Sequence, residues 1–326
     1  MDPLAALLDG PRAHGAFLLR SLLTPPWSLR IEDRAPLTIV AVVRGDAWVV
    51  PDGGEPVSLA EGDVAIARGP DPYVVADDPA TPPQALILPG EECRTPDGGH
   101  LTALTDLGVR TWGHGLDGPT VMLTGTYGMT GEVSRRLLAA LPPLIVLRRA
   151  DWASPLVPVL AAEIVRDVPG QETVLDRLLD VLLISALRGW FDRADAPAWY
   201  RAHTDPVVGQ ALRMLQHQPD EPWTVAKLAA NIGVSRAALA RRFTGAVGEA
   251  PMTYLTGWRL ALAADLLRQH PEHTIGAVAR HVGYGSAFAL STAFKREYGV
   301  SPQAYRTRTA DPDKDHPPRE PSYTGR

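Results

Sequence analysis

Two stretches of this 326-residue chain hold side chains suited to gripping a polyanion. "SRAALARRF", residues 235–243, offers Arg236, Arg241 and Arg242, and "SAFALSTAFKREY", residues 286–298, offers Lys295 and Arg296. A guanidinium presents a fork of donors that fits a phosphate, and an ammonium supplies a compact charge. Each stretch opens on a serine, Ser235 or Ser286, which can cap a helix and leave backbone N–H groups free for an anion. The two differ on the face that would meet a nucleic acid. The second offers Ala287, Phe288, Ser291 and Thr292, with no arginine among them. Its hydroxyls can bond bases or phosphates without being selective.

Charge is distributed unevenly around these stretches. Residues 1–203 carry a formal −9, residues 204–310 carry +5 and the tail 311–326 carries −1. Such asymmetry suggests a polyanionic partner for the basic part. The acidic part should discourage stray association with DNA.

The elements that must position the basic side chains are written twice. "TVAKLAANIGV" begins at Thr224 and "TIGAVARHVGY" at Thr274. Val225, Leu228, Ala229 and Ile232, like Ile275, Val278, Ala279 and Val282, recur at i, i+3, i+4 and i+7, one apolar helical stripe each. Thr224 and Thr274 stand at N-cap positions, and Gly233 and Gly283 where the helices end. The match continues through Phe243 and Phe294, Gly248 and Gly299, Pro251 and Pro302, Tyr254 and Tyr305. Between the copies, Leu255, Trp258, Leu262 and Leu266 mark a long connecting helix that Pro271 stops. Upstream, Val208, Ala211, Leu212 and Leu215 mark another, opened by Asp205-Pro206. A short helix after Ser301-Pro302 brings the number to seven. A helix, a glycine turn and a second capped helix form a unit built to enter a major groove.

Residues 205–308 resemble the DNA-binding domain of the AraC/XylS family of bacterial transcription regulators. "LAANIGVSRAALARRF" and "GYGSAFALSTAFKREYGVSPQAYR" carry the likeness. The resemblance implies two reading heads that enter successive major-groove segments about 34 Å apart. It places Arg241 where the family often has a base-reading arginine, with Arg236 and Arg242 as phosphate clamps. Ala237 and Ala240 fall where relatives hold larger readers, and could approach thymine methyls. Thr292 stands where many relatives have arginine. Phe288 either faces a thymine methyl or packs between helices. Lys295 and Arg296 would hold phosphates. The first head is therefore expected to supply most of the sequence choice.

The front of the chain has a different pattern. Leu37–Val43 and Ala47–Val50 are apolar runs flanking Arg44-Gly45-Asp46, which reads as a hairpin turn. "PQALILPG" and "PTVMLTGTYG" add later strands, and many short strands with Gly and Pro turns suggest a sandwich or small barrel. "GDAWVV", "LAEGDVAIARG" and "LLAALPPLIVL" resemble the cupin-like sensor domain that precedes AraC-type DNA-binding domains. A small-molecule effector inside the barrel is then expected, with Trp48 and Tyr73 as lining or as plain core. Metal-binding cupins present clustered histidines and a glutamate, as three N/O ligands with an open position require. Here no histidine lies between His14 and His100, and Tyr73 stands where relatives often have one. No metal, cofactor or catalytic residue is expected; His14, His100 and His114 read as loop or surface residues. Cys93, the one cysteine, cannot form an internal disulfide, and nothing nearby signals a lowered pKa.

The pattern turns helical over 132–193. In "GQETVLDRLLDVLLISALRGWFDR" apolar residues cover most of the circumference, which asks for burial on several sides and suggests a dimer interface. "DRADAPAWYRAHTDP" reads as a linker and residues 309–326 as a disordered tail. The expected chain is α+β: a cupin-like sandwich or barrel at 1–130, a helical dimerisation segment at 131–200, and an all-α double helix-turn-helix domain at 205–308. Its expected role is a cytoplasmic, homodimeric, effector-controlled transcription regulator. Double-stranded operator DNA is the principal partner, RNA polymerase is a further one, and there is no membrane contact. The alternatives are a cupin-type enzyme fused to a DNA-binding domain and a weakly specific architectural DNA binder.

Overall fold

The computed structural model describes residues 18–90, 92–128, 131–152, 154–192 and 198–309. The chain divides into two compact units, one within residues 7–197 and the other dominated by 198–326. His14 and all but the first residue of the proposed tail lie outside the described residues.

The first unit is built on two mixed sheets. The seven-stranded sheet runs β10 (Thr105–Gly108), β11 (Thr111–Gly113), β1 (Leu18–Leu23), β12 (Thr120–Tyr127), β3 (Leu37–Arg44), β6 (Val64–Arg68), β13 (Leu144–Leu147). The six-stranded sheet runs β5 (Val57–Leu59), β4 (Ala47–Pro51), β7 (Tyr73–Ala76), β2 (Ser28–Ile31), β8 (Ala85–Leu88), β9 (Glu92–Arg94). Trp27, Val40, Val42, Val49, Leu59, Val75 and Met122 join in one buried core drawn from both sheets. This is the sandwich that the short apolar runs predict.

The expected hairpin at Arg44-Gly45-Asp46 does not form. β3 pairs with β12 and β6 in one sheet, while β4 pairs with β5 and β7 in the other. The reason lies in the run itself: Leu37 to Val42 are all buried, so β3 needs cover on both faces and a neighbour on each side. The turn is instead a corner between sheets. Gly45 has φ 76°, and a Cβ there would lie 2.9 Å from the Pro119 carbonyl oxygen. The Arg44 guanidinium fastens the corner by donating to the Gly118 carbonyl at 2.6 Å.

Residues 132–193 are not helical throughout. Helices α1 (Glu132–Ala140), α2 (Leu156–Glu163) and α3 (Gln171–Phe191) are interrupted by β13, which extends the seven-stranded sheet antiparallel to β6. β13 is four apolar residues after Pro142-Pro143, too short a run for a helix. α3 meets the sheet at Leu179, and Leu175, Leu182 and Leu187 are buried with it. The Tyr127 hydroxyl donates to the Leu179 carbonyl at 2.8 Å, and Gly125 leaves room for the Leu179 side chain. The opposite face keeps Val174 and Val181 exposed, at 44 % and 49 %.

The second unit is all-helical. It comprises α4 (Ala198–Thr204), α5 (Val208–His217), α6 (Val225–Ile232), α7 (Arg236–Val247), α8 (Pro251–Gln269), α9 (Ile275–His281), α10 (Ala287–Tyr298) and α11 (Pro302–Thr309). The seven helices expected from Asp205 onward are α5 to α11. The expected linker contains α4, whose Ala202 is buried in the same core as α5 and α6. Gly209 permits the close approach, since a Cβ there would sit 2.1 Å from the His203 carbonyl oxygen.

Candidate nucleic-acid interface

The caps predicted by the repeat are present in both copies. Thr224 and Thr274 accept from Lys227 and Ala277 N–H groups at 3.0 and 3.1 Å, opening α6 and α9. Ser235 and Ser286 accept from Ala238 and Ala289 N–H groups, both at 3.1 Å, opening α7 and α10. Each cap satisfies an N–H that the helix start would leave orphaned, which stabilises by about 1 kcal/mol. Leu239 and Phe243 anchor α7 inward, and Leu290 and Phe294 anchor α10, each fully buried. Anchors four residues apart fix one face of a helix and commit the other to solvent.

That free face carries the expected contact residues. On α7 and its cap, Ser235, Arg236, Ala237, Arg241 and Arg242 are exposed and Ala240 is half-buried. On α10 and its cap, Ser286, Phe288, Thr292, Lys295 and Arg296 are exposed, while Ala287 and Ser291 are half-buried. Phe288 is 82 % exposed, so of its two readings the structure retains the outward one. Arg242 is less free than its neighbours: its guanidinium pairs with Asp205 at 2.8 Å. Asp205 also accepts from Val207 and Val208 N–H groups at 2.8 and 2.9 Å, capping α5. Burial raises the Asp205 pKa, but the Val208 N–H, the Arg242 guanidinium and the Val207 N–H outweigh it, and the carboxyl is held below its usual range.

The two heads share one scaffold. Leu255 of α8 belongs to the core under α7, whereas Leu260, Ala263, Ala264 and Leu267 belong to the core under α10. Arg259 lies between those groups. It donates to the Pro219 and Glu221 carbonyls at 2.6 and 2.9 Å, and burial lowers its pKa. Gly283, in the turn between α9 and α10, lies against Pro219, Asp220 and the Arg259 guanidinium. The loop before the first head is thereby locked to the turn of the second. Sequence reasoning missed Arg259; its signal is a charged residue flanked by the apolar side chains of "WRLALAA".

The sheet unit holds a separate cavity of about 70 Å³ between its sheets. Tyr73 lines it with Asp33, Ser21, Cys93 and Trp112. Trp112 Nε1 donates to Ser21 Oγ at 2.6 Å. The Tyr73 hydroxyl is fully buried; Thr38 is its side-chain neighbour, without a hydrogen bond of good geometry. Burial raises the pKa of both Tyr73 and Asp33. Trp48 is not in this lining: Ala47 and Val49 take the core face of β4, and strand alternation turns Trp48 to the other. His100 is exposed, and His114 Nδ1 accepts from the Thr24 N–H at 3.1 Å. Among the described residues no helix is long and apolar enough to cross a membrane.

Paired helix-turn-helix heads on one connecting helix, joined in sequence to a double-sheet domain, define a DNA-binding transcription regulator with a cupin-type N-terminal domain. Residues 2–192 match the family described as cupin, and residues 228–308 match the helix-turn-helix domain. An AraC-like transcription regulator of Streptomyces lividans is 32 % identical over 322 residues, covering 96 % of this chain and all of the relative. The regulator AlkR of Acinetobacter baylyi is 28 % identical over 316 residues, covering 95 % of this chain and 100 % of its own. The DNA-binding domain of AdpA, solved with a target DNA, is 33 % identical; it covers 34 % of this chain and 98 % of its own, with a TM-score of 0.31. The chain belongs to the AraC family of transcription regulators.

Proposed function

We propose that this regulator reads its operator by laying α7 and α10 in successive major-groove segments, with α7 making most of the sequence choice. The observation that carries this reading is the contrast between the two free faces. α7 exposes Arg241 beside the small side chains of Ala237 and Ala240, while α10 exposes Phe288 and Thr292. An arginine can pair bidentately with guanine, whereas a hydroxyl or a ring discriminates less. Arg236, Lys295 and Arg296 grip phosphates, and Arg242 joins them when Asp205 releases it. A hydroxyl-radical footprint of the full chain on its operator should show two protected patches about one helical turn, roughly 34 Å, apart on one face. A single isolated patch would refute it.

The sheet unit is the sensor in this reading. The cavity at Tyr73 sets a buried hydroxyl and a carboxyl among apolar walls, the mixture that small-molecule sites use for orientation, and at about 70 Å³ it must widen to admit an effector. The ligand acts by favouring one arrangement of the protein over another. The chain catalyses nothing of its own and works in the cytoplasm, with RNA polymerase as a protein partner.

α3 makes the homodimer. Val174 and Val181, seven residues apart, fall on one helix face, and their exposure leaves apolar surface that a second copy covers. Sedimentation at micromolar concentration should give a dimer, and the double substitution Val174→Asp, Val181→Asp should weaken it at least about tenfold by burying unpaired charge. A monomeric wild type would exclude the interface.

A further inference from the structure

The geometry points to a binding site for a borderline divalent transition-metal ion, zinc as the type case, formed by His270, Glu272 and His273 on the turn between α8 and α9. One donor atom from each of the three lies within 4.8 Å of the others. His270 Nδ1 is 3.3 Å from Glu272 Oε1, and His273 Nε2 is 3.7 Å from the same oxygen. Two donors on a tetrahedral ion with bonds of 2.0–2.1 Å lie about 3.3–3.4 Å apart. Both nitrogen–oxygen edges are therefore close to ligand spacing already. The two imidazoles lie side by side, with centroids 4.8 Å apart and planes 19° from parallel. Closing the nitrogen–nitrogen edge needs a movement of roughly 1.5 Å at most, which exposed side chains can make by rotating.

The backbone holds the three residues in place. The His273 N–H donates to the His270 carbonyl at 3.1 Å, and the His270 N–H donates to the Leu266 carbonyl at 2.9 Å. The Arg306 guanidinium donates to the Pro271 and His273 carbonyls at 3.0 and 2.6 Å. Thr274 follows at once as the cap of α9. His270 also ends a 19-residue helix, and the carbonyl end of a helix favours a cation. Two imidazoles and one carboxylate select zinc, nickel or copper over calcium or magnesium, which want oxygen alone. Solvent supplies the remaining ligand. The nearby charge of Arg306 opposes the ion and keeps the affinity moderate. Once bound, the ion ties the end of α8 to the start of α9, the join from which the second head is hung.

The test uses the full, tag-free chain, stripped with chelator and titrated with zinc against a chromophoric competitor. One micromolar site is expected. His270→Ala and His273→Ala should each weaken it at least tenfold and Glu272→Gln by a smaller factor, with the circular dichroism of the apo-protein unchanged. Nine histidines are present in the chain, so the double variant His270→Ala, His273→Ala is decisive. If it keeps the site, or if the wild type has no micromolar site, the inference is overturned. Operator binding with chelator present is unaffected by the same substitutions, which separates this outcome from failure of the DNA-reading assignment.

Discussion

Arg241→Ala is expected to cost about 1–3 kcal/mol on the operator and almost nothing on a scrambled duplex. The side chain stands on the free face of α7, opposite the buried anchors Leu239 and Phe243, so its removal leaves the helix and its core untouched. What disappears is a bidentate pairing that only a correctly placed guanine satisfies. Lys295→Ala should behave in the opposite way. Its exposed ammonium sits in the last turn of α10, a point charge with no fork to fit a base edge bidentately. Each phosphate contact releases a counterion, so the variant should weaken operator and scrambled duplex alike and reduce the salt-dependence slope by about 1. Competition binding at several salt concentrations separates the two patterns. Equal losses of Arg241→Ala on both duplexes would show that it is a backbone contact, and the division of labour between the heads would fall.

Much of this geometry was legible in the sequence because its causes are local. A threonine or serine cap, an apolar stripe and a glycine stop act within one or two turns, and Thr224, Ser235, Thr274 and Ser286 all cap as their spacing predicts. Phe243 and Phe294, which the repeat pairs, are equivalent buried residues of α7 and α10. The front unit was legible in class but not in connection. Whether Arg44-Gly45-Asp46 folds its strands together or sends them into different sheets depends on β6 and β12, which lie farther along the chain. Of the cavity's lining only Tyr73 was named as such from the sequence, for the same reason. Asp33, Tyr73, Cys93 and Trp112 are brought together by cross-strand register, and no spacing along the chain foretells it. Trp48, read as lining or core, is turned away from the core face by its parity on β4.

Gly233 and Gly283 occupy equivalent places in the repeat, yet substituting them should have unequal effects. Both adopt a left-handed backbone, at φ 80° and 81°. An alanine at either would cost about 1–2 kcal/mol for that conformation alone. At Gly233 nothing lies within 4 Å of an added Cβ, so the cost should stop there. At Gly283 the Cβ would meet Asp220 Cα, the Pro219 carbonyl oxygen and the Arg259 guanidinium, each at 2.7 Å. Two of these are backbone and cannot rotate away. Overpacking of this kind adds about 1–3 kcal/mol, for a total of about 2–5 kcal/mol, a large fraction of what holds a domain folded. The strain also falls on the loop that Arg259 clamps, so relief must come from moving the second turn away from the first head. Urea denaturation should show Gly283→Ala far less stable than Gly233→Ala. Footprints below the unfolding midpoint should lose the patch assigned to α10 before the patch assigned to α7. Equal destabilisation of the two variants would mean that the heads are not interlocked through Arg259 and the 219–221 loop, and that α8 alone sets their spacing.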